Sequence, residues 1–121
     1  MITDGGADFD LRDEERILEI DSPQANIGGP YKVLYKDVQE RWAVVVLKWN
    51  NKPRLGVRWF WDSCGEPNSR GYSTWFVVPP NLSIAVLNGL PLVHDVRLLV
   101  DDFLCGKVQE DIFLEAESLN D

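Results

Sequence analysis

The residues best suited to chemistry lie between positions 32 and 75, where cations and aromatics interleave. Lys48, Trp49, Lys52, Arg54, Arg58, Phe60, Arg70 and Tyr72 fall in this stretch, together with Trp42, Trp59, Trp61 and Trp75. Proteins that hold single strands without sequence preference combine cations that track phosphates with aromatic faces that stack bases. Each stacked base contributes about 1–3 kcal/mol. Trp, Tyr and Arg are also the types enriched at protein interfaces, so a protein partner is the alternative for the same surface.

Other chemistries find less support. His94 is the one histidine, so any Ser–His–Asp or Cys–His arrangement must use it. Cys105 follows it by eleven positions, about 16 Å along a helix at ~1.5 Å per residue, too far for a dyad. Cys64 lies in a polar loop that nothing in the sequence brings to His94. The adjacent acids Asp101–Asp102 and Glu110–Asp111 do not converge on a helix, so no metal site is expected. Neither GxxxxGK[ST] nor GxGxxG is present, so no nucleotide cofactor is expected either. The chemistry that remains is binding, not catalysis.

Charge sharpens this reading. The chain of 121 residues carries a formal net charge of −8, which by itself disfavours phosphate binding. The charge is segregated, however. Residues 1–31 hold eight acids against Arg12 and Arg16, and residues 76–121 hold eight acids against Arg97 and Lys107. Residues 32–75 hold eight bases against four acids. A basic middle between acidic arms points to a partner surface or an autoinhibitory tail. An equally plain alternative is a sheet with Lys and Arg on its solvent face and helices that carry acids.

Alternation and breakers suggest which elements position these residues. Residues 9–20 suit a short acidic helix, and residues 22–30 (SPQANIGGP) read as a loop. Residues 31–36 alternate as a strand. Residues 41–49 (RWAVVVLKW) are β-branched, as a central strand should be. Asn50–Pro53 makes a turn, 54–61 a third strand and 72–78 a fourth, with the polar loop 62–71 between them. On the third strand Arg54, Gly56, Arg58 and Phe60 share one face. That face is expected to be open, with Gly56 admitting a ligand backbone. Leu55, Val57, Trp59 and Trp61 are expected to face helices. Pro79 and Pro80 end the ladder. Helices follow from Asn81 to Leu90, with Asn81 or Ser83 as N-cap, and over 93–105, with Gly106 as C-cap. Residues 112–116 suit a short strand or a helical end.

The pattern is α+β: a four-stranded antiparallel curved sheet (31–78) followed by C-terminal helices (81–105). Residues 1–30 form an acidic N-terminal arm, frayed over 1–8, and residues 106–121 an acidic tail. No leader and no apolar run of spanning length is visible, so the expected location is the cytoplasm, with no membrane contact and both cysteines reduced.

The stretch LKWNNKPRLGVRWFWDSCGEPNSRGYSTWFVVPPNL resembles the centre of the transcriptional positive-cofactor-four type of single-stranded-DNA-binding proteins, especially their bacterial relatives. Trp49, Asn50, Lys52, Pro53, Val57, Arg58, Trp59, Arg70, Gly71 and Thr74 carry the likeness, which covers about half the chain. It implies a homodimer built through helices, with sheets that grip single strands. Lys48, Lys52, Arg54, Arg58 and Arg70 would contact phosphate; Trp49, Phe60 and Tyr72 would stack bases. The chain departs from that pattern in its extension 92–121 and its overall acidity. The alternative function is an acidic protein–protein interaction module of regulatory, phage or immunity type.

Overall fold

A computed structural model describes residues 5–114. The chain forms α1 (Glu14–Leu18), β1 (Ile27–Asp37), β2 (Trp42–Trp49), β3 (Lys52–Trp59), β4 (Asn68–Ser69), β5 (Tyr72–Ser73), β6 (Phe76–Val77), α2 (Pro80–Asn88) and α3 (His94–Leu104). β1, β2, β3 and β6 pair in that order, all antiparallel, and β4 and β5 form a separate two-stranded ribbon. The α+β architecture with C-terminal helices is the one expected.

Local chemistry sets the register. Asn50 and Asn51 both adopt positive φ, 52° and 66°, so a two-residue turn joins β2 to β3 and places Trp49 opposite Lys52. Asn accepts this left-handed geometry better than most residues, and the turn's twist matches that of the strands. Arg70 and Gly71 repeat the device between β4 and β5, with φ of 53° and 83°. From Trp49–Lys52 the pairing runs without interruption to Trp42 opposite Trp59.

β2 is central, and its side chains are buried on both faces. Ala43, Val45 and Leu47 join Phe9, Leu11, Ile17, Ile20, Phe60 and Trp75 in one cluster. Val46 and Leu55 join Leu87, Val100, Phe103 and Phe113 in the other. The sheet is therefore a middle layer, and this corrects two expectations. The face of Arg58 and Phe60 is not open: residues 5–20 and the 62–75 segment cover it. The acidic stretch at the N-terminus is acidic only outwardly, and its apolar residues belong to the core. Gly5 and Gly6, within the segment expected to fray, are buried.

Some boundaries differ as well. β1 begins at Ile27, inside the expected loop. The fourth strand is divided, with Tyr72–Ser73 in the ribbon and Phe76–Val77 in the main sheet. α1 has five residues rather than twelve, with the Asp13 side chain accepting from the Arg16 amide. Pro80 opens α2 and Pro79 caps it without a side-chain bond, so neither Asn81 nor Ser83 is the cap. Proline at the first helical position forgoes only an amide that has no intrahelical partner. Helical structure resumes over 111–114. Residues 1–4 and 115–121, including the end of the acidic tail, lie outside the described residues.

Candidate aromatic binding surface

The helices cover only part of the sheet face they pack on. At the end where β1 turns into β2, that face carries aromatic side chains instead. Trp42 and Trp59 are cross-strand partners, with ring centroids 6.4 Å apart and planes at 67°. Tyr35 lies 5.1 Å from Trp42 on one side. Trp61 stacks on Trp59 on the other, at 4.2 Å and 24°. Four rings thus form a row, and Trp59 and Trp61 are 37% and 43% exposed. Phe76, opposite Val57 across the β3–β6 pair, is 54% exposed. A groove of about 320 Å³ runs between Trp59 and Phe76, lined also by Val57, Arg58, Glu66 and Pro67. Burying one large apolar side chain is worth roughly 1.5–3 kcal/mol, so a contiguous exposed group forgoes substantial stability.

Four acidic residues neighbour these rings along the backbone, and one of them, Glu66, lines the groove. Asp37 pairs with Trp42 in register. The Glu40 carbonyl accepts the Trp61 indole N–H at 3.2 Å. Asp62 follows Trp61, and Glu66 bridges Trp59 through backbone bonds of 2.7 and 3.1 Å. Arg41, which precedes Trp42, is committed to structure: its guanidinium donates to the carbonyls of Phe60, Gly6 and Phe9 at 2.7–2.9 Å.

The eight expected contact residues do not converge. Lys48 donates to Glu110 at 2.9 Å and to Gln109 at 3.2 Å, which ties β2 to the C-terminal segment. The Lys48 ammonium in turn holds the Glu110 carboxyl below its usual range. Trp49 packs half-buried on the N-terminal cluster. Arg54 folds back on the Pro53 carbonyl at 2.7 Å. Lys52, Arg70 and Tyr72 are exposed, but Lys52 lies at the β2–β3 turn while Arg70 and Tyr72 belong to the ribbon.

Arg58 and Phe60 are the main corrections. Arg58 is 1% exposed and Phe60 is 0% exposed. The Arg58 guanidinium donates to the carbonyls of Gly5 at 3.0 Å, Cys64 at 2.7 Å and Pro67 at 3.2 Å, and also to that of Thr74. It also lies over the Phe60 ring at 4.9 Å. Burial pushes its pKa down to about 10, which leaves it charged at neutral pH. Arg58 is a hub that fixes the N-terminus and the long loop to the sheet, out of reach of a phosphate. Gly56 likewise serves the core: a Cβ there would meet Leu47 Cδ2 at 2.6 Å and Trp75 Cβ at 3.4 Å.

Alternation on β3 is as expected; what covers each face is not. Leu55 and Val57 do point to the helices, and Trp59 shares their side but lies beyond the helix-side cluster. One signal in the sequence leads to this row of rings. A two-residue Asn50–Asn51 turn fixes Trp42 opposite Trp59 by counting alone.

Other features are less developed. His94 is exposed at the start of α3, Cys64 is buried and Cys105 exposed, and both thiols are free. No group of metal-ligating side chains occurs among the described residues. A second groove, about 450 Å³, lies between β3, α2 and α3. No helix among the described residues is long and apolar enough to cross a membrane. No family model matches the chain, and neither a curated protein nor a solved structure matches it.

Proposed function

We propose that this chain is a non-enzymatic protein-binding module whose working surface is the aromatic end of the sheet. The observation that carries this reading is the stacked, exposed Trp59–Trp61 pair beside exposed Phe76, with Glu66 lining the groove between them. Interface hot spots are enriched in Trp and cluster in apolar pockets. Single-strand nucleic acid is the second reading. Exposed indoles can stack bases, and that is what favours it. The charge does not: phosphates entering the groove would meet Glu66, while Arg41 and Arg58 are spent on backbone carbonyls.

Recovery of the tagged chain from its native cells, before and after nuclease treatment, tests both readings. A protein partner held by the wild type and lost from a folded Trp59→Ala/Trp61→Ala double variant is the expected result. Nuclease-sensitive nucleic acid as the species lost would replace this reading with the second.

Two further points belong to the same proposal. A homodimer through the helices is supported by exposed Leu82, Ile84, Val93 and Leu98 on and beside α2 and α3. Light scattering should give twice the chain mass, and the monomer mass for Ile84→Asp. A cytoplasmic location is supported by the two free cysteines.

A further inference from the structure

We propose that the groove between Trp59 and Phe76 receives a proline ring from an extended, polyproline-type segment of a protein partner. A basic residue of the same segment would sit beside Glu66. This rests on the protein-binding reading above and gives its ligand.

The walls argue for an apolar insert. Trp59, Phe76, Val57 and Pro67 supply most of the lining, with Arg58 and Glu66 the two charged residues among them. Proline-rich segments dock in aromatic-lined grooves because their helix is already formed, so little entropy is lost on binding. Such segments make no internal hydrogen bonds and present free carbonyls. Trp59, a lining residue, keeps a donor for one of them. The indole N–H of Trp61 donates to Glu40 and that of Trp75 to Ile20, but the indole N–H of half-exposed Trp59 has no protein partner among the described residues.

Charge decides where a cation can go. Behind the groove wall the buried Arg58 guanidinium donates to the carbonyl of Pro67, a lining residue, so a second cation inserted there would approach a like charge in low dielectric. On the rim the balance reverses, because exposed Glu66 lines the groove and Arg41 is engaged with Phe60, Gly6 and Phe9. An apolar ring inside and a Lys or Arg outside is the arrangement that satisfies both fields.

The test is a titration of the full chain, followed by the indole N–H signals in nuclear magnetic resonance. The probes are an octaproline peptide ending in two arginines, a peptide of equal length with alternating Ala and Gly before the same arginines, and an oligothymidine. The proline peptide should shift the Trp59 signal and bind about tenfold more tightly than the Ala–Gly control. Trp59→Ala should remove about tenfold or more of that affinity, as expected of a Trp hot spot. Glu66→Gln, or salt near ~0.5 M, should weaken the proline peptide a few-fold, the size expected of a screened rim charge.

Equal binding of the two peptides, no binding of the proline peptide, or tighter binding of oligothymidine overturns the proposal. If it fails while the double Trp variant still loses its cellular protein partner, the ligand class is wrong and the protein-binding reading stands. If the double variant loses no partner, the reading itself falls.

Discussion

Arg58 shows how a residue type can mislead about its role. An arginine on a strand with other bases reads as a phosphate contact, yet here the guanidinium is enclosed by four carbonyls, one from the N-terminal segment, two from the long loop and one from Thr74. It has no carboxylate bonded to it, and its Nε is without a partner among the described residues. A buried charge is tolerated when its hydrogen bonds are supplied, and guanidinium has the donors to satisfy several acceptors at once. Arg58→Met should therefore cost roughly 3–5 kcal/mol, since each buried acceptor left unpaired costs about 1–3 kcal/mol. Urea denaturation measures this; a change under 1 kcal/mol, the scale of a surface pair, would show the carbonyls to be satisfied otherwise. The Trp59→Ala change should behave in the opposite way, leaving the fold in place and removing the binding.

Among the elements, the C-terminal segment is held to β2 by an ion pair. Lys48 Nζ lies 2.9 Å from the Glu110 carboxylate, with both side chains more than two-thirds buried. The ammonium keeps the Glu110 carboxyl below its ordinary value of 4.5. A carboxyl depressed in the folded state adds stability above its unfolded pKa and loses it as pH falls through the folded one. Lys48→Met should thus destabilise the chain near neutral pH by up to about 1 kcal/mol. The difference from wild type should shrink below pH 4.5 and vanish once Glu110 is protonated in both states. Thermal melts across that range follow it. A difference that persists in strong acid would assign the effect to the Lys48 stem packing instead.

Over the whole molecule, the sheet is covered by two unlike layers, the N-terminal segment on one face and the C-terminal helices on the other. Phe9, Leu11, Ile17 and Ile20 are all buried against the sheet. At about 1.5–3 kcal/mol per side chain, their removal costs roughly 6–12 kcal/mol, comparable with the roughly 5–15 kcal/mol that holds a domain together. Deleting residues 1–20 should abolish the cooperative melt. A truncated chain that keeps its near-ultraviolet circular dichroism would show the segment to be a dispensable arm after all.

The local parts of this fold were legible because local chemistry determines them. The Asn50–Asn51 turn, the β-branched run of β2, the prolines that end the ladder and the apolar stripe of α3 each act within a few residues. Even the side on which each β3 residue points follows from alternation. Which face would be covered, and how far, is not a local property. Leu11 and Ile17 carry little periodicity in an acidic stretch, and only their contact with Val45, Leu47 and Phe60 turns that stretch into a cover. The helix layer stops short of Trp42 and Trp59, and nothing in the helices' own pattern marks where. The sequence by itself determined the α+β elements, a turn beginning at Asn50 between the two central strands and the concentration of aromatics upon them. The tertiary structure alone decided which aromatics face solvent, because exposure depends on what distant segments bury and not on the strand that carries the residue.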